Sequence, residues 1–480
     1  MADTPQELPE RKEISAEEFI IICKGGYASN PTHSNYYRKQ DGILKSVVIK
    51  NHYVSGQVVF NVNEYSNAFV IENTEFEQEL IFESAIFLKR IGFNNCFFKN
   101  GIHFIEPTFN YEISIKNSTV KDNLRISGGN YTGTFSIDIN KKNKPSDDLS
   151  SVVIQGGEFN KLVIGANGSN LRSVDMLAIN VKGNVFIAGK DSIIENVFIR
   201  SLSRHLMLYL EDFNVNMLSI QSFNSSVKFK IHNIKAISLP NKESEFLVQN
   251  SNLGSAEIST VDLSKFDIVN IRDSYISDVN FVNTIWNNNI TSFDQSGSQV
   301  IKEITDIREY NFKNRDVYRQ LKYASSKYGD TVTSFEFLAK EMEIYRKYLK
   351  NNNNKLFSKE WWNNKAERAN LWLNMFSNYY GNNWLKAVFL TLFFNTMLYT
   401  FYCWSQGYWF GNDWNKFWTL AAYSFEFLNP LRKADFLQKV TGEELVPPAA
   451  IAIDYVSRII IAYFVYQTIT AFRKFGKRSA

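Results

Sequence analysis

Residues able to do chemistry are sparse in this 480-residue chain, and few kinds are present. The five histidines form no HExxH pair, which argues against a histidine-based zinc hydrolase. The three cysteines, Cys23, Cys96 and Cys403, stand too far apart for a zinc knuckle or a disulfide framework, and so fit a reducing compartment. No phosphate-binding glycine loop, GxSxG elbow, dinucleotide turn or His/Cys nucleophile arrangement is present. The expectation is a protein that is not an enzyme and needs no metal or cofactor. Asp138, Asp147, Asp148 and Asp175 offer carboxylates of the type that hydrolyse polysaccharides on solenoid folds, though carboxylates are also ordinary on solvated faces.

Cations give a stronger pattern. In VKFKIH, Val227, Phe229 and Ile231 alternate with Lys228, Lys230 and His232, so the basic side chains share one face of a strand. Arg200, Arg204 and His205 lie just upstream, and Lys141, Lys161, Lys182, Arg204 and Lys228 recur at near-regular spacing. On a solenoid with coils of about 20 to 24 residues, that spacing would stack cations in steps of about 5 Å, which suits a phosphate backbone. Lys182, Arg200, Arg204, His205, Lys228, Lys230 and His232 are therefore the ligand-binding candidates. A plain solvated face would carry the same charges. The net charge of +4 is too small to mark a bulk nucleic-acid binder.

The elements that must position these residues read as four parts. Residues 1–42 are polar and charged, without an apolar leader segment, and form an N-terminal cap with one helix near Ser15–Cys23, Ser15 being its candidate N-cap. From 43 to 300, short runs such as SVVIKN, AFVIEN, EISIKN, FSIDIN, KLVIGA and NVFIAG recur, many at about 10 to 13 residues. Each alternates with period 2, and many end in Asn or Gly, which accept left-handed corners. No helical period interrupts them, and hairpin dipeptides are scarce. The expected fold is a β-solenoid, a right-handed parallel β-helix with two or three strands per coil; the competing architectures are a sandwich or a set of antiparallel hairpins. Ile113, Ile115, Phe135, Ile137, Val163 and Phe229 are expected in its core.

Residues 301–383 form a helical linker. One helix carries Val317, Leu321 and Ala324 on a face, and a second carries Phe335, Leu338, Met342, Tyr345 and Leu349. Gly329 can end the first and Asp330 can cap the second. A third segment, SKEWWNNKAERANLWLNMFSNYY, interleaves Trp361, Trp362 and Trp372 with basic residues. It suits a helix lying in a membrane interface, or equally one buried in the linker.

The last part, 384–480, holds two apolar runs. The first, 384–404, includes 17 residues from Ala387 to Cys403 without a charge. The second, 449–472, carries only Asp454 and Arg458, spaced to pair on one helix face. Both are long enough to span about 30 Å of hydrocarbon. Lysine and arginine crowd both flanks, which places the N- and C-termini on the cytoplasmic side, in a bacterial inner membrane under the resemblance given below. Between the spans, NKFWTLAAYSFEFLNP holds an apolar helix, 417–428, too short to cross. A segment that enters and returns is tolerated only beside protein or a water-filled cavity.

Span, re-entrant helix, span resembles the pore domain of two-span ion channels, which close a pore as a ring, usually of four. YSFEFLNP stands where a potassium channel carries TVGYG, so potassium selectivity is not implied. Thr419, Ser424, Glu426 and Asn429 are the pore-lining candidates. Glu426, the single charge in Phe417 to Leu428, would ring a pore with carboxylates that favour cations, or would pair with a Lys or Arg at the helix end.

The order of domains, a β-solenoid, the helix pair YRQLKYASSKYGD…EFLAKEMEIYRKYL and a C-terminal two-span pore, is similar to that of the channel effectors of the Hailong anti-phage defence system. That resemblance implies a ligand-gated, depolarising homo-oligomeric channel in membrane lipid. A nucleotide or short single-stranded DNA oligomer, made by a partner nucleotidyltransferase, would hold it closed. The competing reading is a membrane-tethered β-helix scaffold without a pore, for which a re-entrant helix has no use.

Overall fold

The computed structural model describes residues 11–25, 37–40, 43–139, 150–166, 168–201, 207–224, 229–292, 307–350, 355–407, 414–433 and 446–476. They fall into two compact units, 1–303 and 304–480.

The first unit is a β-solenoid of about ten turns. It opens with the strand Lys12–Ser15, paired in parallel with His52–Ser55. Helix α1 (Ala16–Cys23) follows, and the Ser15 hydroxyl accepts from the Glu18 N–H as its N-cap. Strand ladders among the described residues are parallel, with one antiparallel exception between Tyr37–Gln40 and Ile43–Lys50. Parallel pairing of successive coils excludes both a sandwich and a set of antiparallel hairpins.

The early coils are built from four short strands. Phe69–Glu72, Glu75–Phe76, Leu80–Glu83 and Ile86–Phe87 stack on Ile91–Asn94, Phe97–Phe98, Ile102–Ile105 and Thr108–Phe109 in turn. This exceeds the two or three strands expected per coil. Strands of two residues place only one side chain inward, too little for alternation to reveal them.

Those inward side chains make aromatic columns along the core. Phe60, Phe82 and Phe104 stack at 5.0 and 4.7 Å between ring centres. Tyr65, Phe87, Phe109, Tyr131 and Phe159 stack at 4.8, 4.7, 5.5 and 4.5 Å. Coil stacking at about 4.8 Å matches the preferred spacing of offset rings, so one geometry satisfies backbone and side chains together.

Corners are held by asparagine. Asn51, Asn73, Asn95 and Asn117 all adopt positive φ, between 49° and 58°. The Asn73 amide donates to Asn51 Oδ1 at 3.0 Å and the Asn95 amide to Asn73 Oδ1 at 2.6 Å, each across a 22-residue coil. Asparagine tolerates the left-handed conformation and adds a ladder of its own. Gly101 is needed for a second reason as well: a Cβ there would collide with the Asn123 carbonyl.

Ile113, Ile115, Phe135, Ile137 and Phe229 are buried. Val163 is not: Leu162 and Ile164 point inward and Val163 faces out. With period 2, a one-residue error in register inverts every assignment in the strand, and KLVIG fits either register by composition. Cys23 and Cys96 are buried in this unit, and burial pushes both thiols up, Cys96 to about 12.

The second unit is helical: α2 (Ile307–Lys327), α3 (Thr331–Lys350), α4 (Lys359–Asn378), α5 (Trp384–Ser405), α6 (Trp414–Phe427) and α7 (Pro448–Gly476). Gly329, at φ 82°, lies between α2 and α3, and Asp330 Oδ1 accepts from the Thr333 N–H. Val317, Leu321 and Ala324 of α2 are buried. On α3, Leu349 is buried while Phe335, Leu338, Met342 and Tyr345 are half-buried, and Phe337, Ala339 and Glu341 are buried too. The helix packs against both α2 and α4, so more than one stripe is covered. Glu341 is bonded to Lys322 at 2.7 Å and paired with Arg315 at 3.8 Å.

On α4, Leu371 is buried while Trp362 and Trp372 are exposed. Helices α5 and α7 are long and apolar enough to cross a membrane, over Trp384–Ser405 and Pro448–Arg473, and only 39% and 28% of their most apolar windows are buried.

Candidate functional site

Helices α5 and α7 pack along each other through a few polar contacts set in apolar surfaces. The Thr391 hydroxyl lies 2.9 Å from that of Thr468. At the α4–α5 turn, the Asn378 amide donates to the Gln467 carbonyl and side chain at 3.1 and 2.6 Å. The left-handed residues Tyr379, Tyr380 and Gly381 make that turn tight. Asn383 then caps α5 by accepting from the Lys386 N–H at 2.8 Å.

Helix α6 meets α5 within its length. The Asn395 amide, near the middle of α5, donates to the Ser424 carbonyl at 3.0 Å, and the Tyr399 hydroxyl donates to the Leu420 carbonyl at 2.7 Å. The Phe427 ring packs on Tyr399 and Tyr402. Leu420 and Phe427 share a buried cluster with Leu398, Ala450 and Ile461, which binds α6 to α7 as well. At about 1.5 Å per residue, the 14 residues of α6 span about 21 Å, short of the roughly 30 Å of a bilayer's hydrocarbon.

The chain leaving α6 is anchored by an ion cluster. Asn429 Oδ1 accepts from the Leu431 N–H, and this turn brings Arg432 inward. The Arg432 Nε and Nη2 donate to Asp454 Oδ1 at 3.0 and 2.7 Å. Its Nη1 donates to the Phe427 carbonyl at 2.6 Å, Nη2 to the Ser457 hydroxyl at 2.6 Å, and its plane lies 3.7 Å over the Phe427 ring. Asp454 Oδ2 accepts from Arg458 Nε at 2.8 Å, and Arg458 Nη2 lies 2.7 Å from it. Both carboxylate oxygens are therefore occupied by guanidinium groups, and two cations face one anion. Arg432 and Asp454 are buried, while the Arg458 side chain is 25% exposed.

Arg432 is not among the residues singled out from the sequence, where a Lys or Arg at the end of this helix was considered only as a partner for Glu426. Its signal lies in the turn: an arginine two residues after Asn429-Pro430, opposite a span with an aspartate, has one buried anion within reach.

Of the pore-lining candidates, Thr419, Glu426 and Asn429 are exposed, and Ser424 is half-buried with its hydroxyl donating to the Ala421 carbonyl. Glu426 makes no ion pair among the described residues.

The solenoid candidates are dispersed and mostly paired. Arg200 holds Asp175 through both carboxylate oxygens at 2.7 and 2.6 Å. Lys230 pairs with Glu257 at 3.5 Å and Lys182 with Glu158 at 3.9 Å. His232 Nδ1 lies 3.0 Å from the Ser259 hydroxyl. Arg204, His205, Lys228 and Lys141 lie outside the described residues, as do Asp147 and Asp148.

Lys161 and Lys182 do not stack on each other. Lys161 adjoins Leu162, whose partner is Val185, whereas Lys182 adjoins Val181, whose partner is Phe159. Lys161 instead lies 5.4 Å over the Phe186 ring, which stacks on Tyr209 at 4.6 Å. In that outward column Tyr209 is followed by Lys230 and Glu257. Among the described residues no group of three or more His, Cys, Asp or Glu side chains could hold a metal ion. Comparison with known proteins finds no matching family model, curated protein or solved structure.

Proposed function

We propose that the chain is a subunit of a ligand-gated ion channel, with α5 and α7 as spans, α6 as a re-entrant pore helix and the solenoid as a cytoplasmic sensor. The observation that carries this reading is the placement of α6. A helix too short to cross a bilayer packs on the middle of one membrane-length helix and is tied by Arg432 to the other. A simple anchor needs two spans and gains nothing from a third helix held between them. The wide exposure of α5 and α7 favours lipid around them over a soluble core, where such helices are mostly covered. Trp362 and Trp372 on α4 suit the interface at the cytoplasmic side.

A single chain offers one wall of a pore, so the channel is a ring of copies, four in the two-span plan. Thr419 and Asn429 expose polar groups on the open side of α6 and its following turn. Neither apolar span carries an arginine series of the voltage-sensing kind, and the large domain that precedes them on the same chain is the gate's controller in this reading. Under the resemblance in domain order, the controller is a nucleotide or short single-stranded DNA oligomer that favours the closed state. Release of that ligand on infection would depolarise a bacterial inner membrane with both termini inside.

Ion flux from liposomes holding the purified chain tests the reading. Flux that an added oligonucleotide suppresses supports it; insertion without flux returns the chain to a tethered scaffold. Binding of the oligonucleotide should fall steeply with salt, because each phosphate contact releases counterions. Lys228→Glu and Lys230→Glu should weaken it.

A further inference from the structure

We infer that Glu426 of one copy pairs with Arg458 of the next, so that a second copy of this chain completes the ion cluster between the spans. The inference rests on the ring reading and names one of its contacts.

The argument is charge accounting inside an apolar layer. Arg432, Arg458 and Asp454 sum to one excess positive charge, and the carboxylate has no free oxygen for further pairing. Arg432 is enclosed and satisfied by the Phe427 carbonyl and Ser457 as well. The excess therefore sits on Arg458, whose side chain is 25% exposed and whose Nη1 has no partner among the described residues. Arg458 lies within three residues of the middle of Pro448–Arg473, about 4 Å from the centre of the span. At that depth a lipid phosphate is remote, and an ionisable group faces a partner or a water-filled cavity.

The missing anion is present in the same sequence. Glu426 is exposed and makes no ion pair among the described residues, and it directly precedes Phe427, whose carbonyl and ring hold Arg432. Glu426 and Arg458 are therefore tied to one cluster, Glu426 through the adjoining Phe427 and Arg458 through Asp454, yet they are not paired within the chain. Their sum with Arg432 and Asp454 is zero. A carboxylate on one patch and a guanidinium on another make a head-to-tail contact, which closes into a ring when the rotation allows. Such a pair also seals the seam between subunits at mid-membrane, where an unpaired charge of either sign is costly.

Mixed disulfide trapping tests this. Glu426→Cys chains and Arg458→Cys chains, differently tagged, are co-expressed at full length and oxidised in membranes. The three native cysteines are buried and serve as the background. The expected product is a linked pair carrying both tags, absent when either variant is expressed alone. A bond formed only within chains carrying both substitutions, or no bond in an intact oligomer, overturns the inference. Native mass spectrometry of Glu426→Gln, a milder change, gives the second readout. A reduced subunit count supports the contact. An unchanged count with lowered cation permeability places Glu426 in the pore and overturns it while leaving the channel reading intact. A parent chain that is monomeric throughout removes both.

Discussion

Replacing Asp454 by asparagine should be the most damaging single change in the helical unit. In the native cluster one carboxylate is shared by two guanidinium groups through four contacts of 2.7 to 3.0 Å. Asp454→Asn leaves both cations in an apolar setting. Removing one partner of a buried pair costs about 3–5 kcal/mol, a shift of roughly 10²- to 10⁴-fold in the folding equilibrium. Arg432→Met should cost less, since Arg458 still faces the carboxylate, and Arg458→Met least, since it leaves a neutral Arg432–Asp454 pair. The triple variant Arg432→Met, Asp454→Leu, Arg458→Met removes all three charges that meet within one chain. It orphans the Phe427 carbonyl and one contact of Ser457, at about 1 kcal/mol each, so its loss should stay near 2 kcal/mol. Unfolding of the detergent-dispersed chain, followed by tryptophan fluorescence, gives the ranking. A triple variant as unstable as Asp454→Asn, or an Arg458→Met as unstable, would refute the accounting.

Within the solenoid, Val163→Asp should be tolerated while Ile164→Asp opens the neighbouring coils, because only Ile164 is buried; limited proteolysis distinguishes them. Asn73→Ala loses two ladder hydrogen bonds at about 1 kcal/mol each and adds about 1 kcal/mol of left-handed strain, whereas Asn73→Gly should recover the strain alone; denaturant midpoints read the difference. Alkaline stability should depend on Cys96. Its native thiol is pushed from 9.0 up to about 12, so the unfolded thiol ionises first and stability is lost as pH rises between those values. At pH 10.5 the parent should have lost about 2 kcal/mol more than Cys96→Ala, relative to pH 8, and equal losses would contradict the burial of this thiol.

The solenoid was legible because its signals are local and repeated. Period-2 runs such as EISIKN, each closing on an asparagine, report both the strand and the corner, and the asparagine ladder is what that composition builds. The four short strands of its early coils were not legible, because Glu75–Phe76 or Ile86–Phe87 is a strand only through its neighbours one coil away. The basic ladder failed at Lys161 and Lys182 for a related reason. Register between coils shifts where strands gain or lose a residue, and spacing in sequence cannot show where. In the helical unit, the apolar runs give α5 and α7 by composition, and the four-residue spacing of Asp454 and Arg458 suffices for their contact. The role of Arg432 depends on a turn that folds the chain after α6 back against a span, which no periodicity encodes.

Current recording across a planar bilayer tests the central claim most directly. Purified full-length chain should give discrete unitary steps in an ion gradient, and a short single-stranded DNA oligomer added on the side of the solenoid should reduce their open probability. Protein that inserts, as shown by protease protection of the segment between α5 and α7, yet gives no unitary steps with or without the oligomer, would contradict the account.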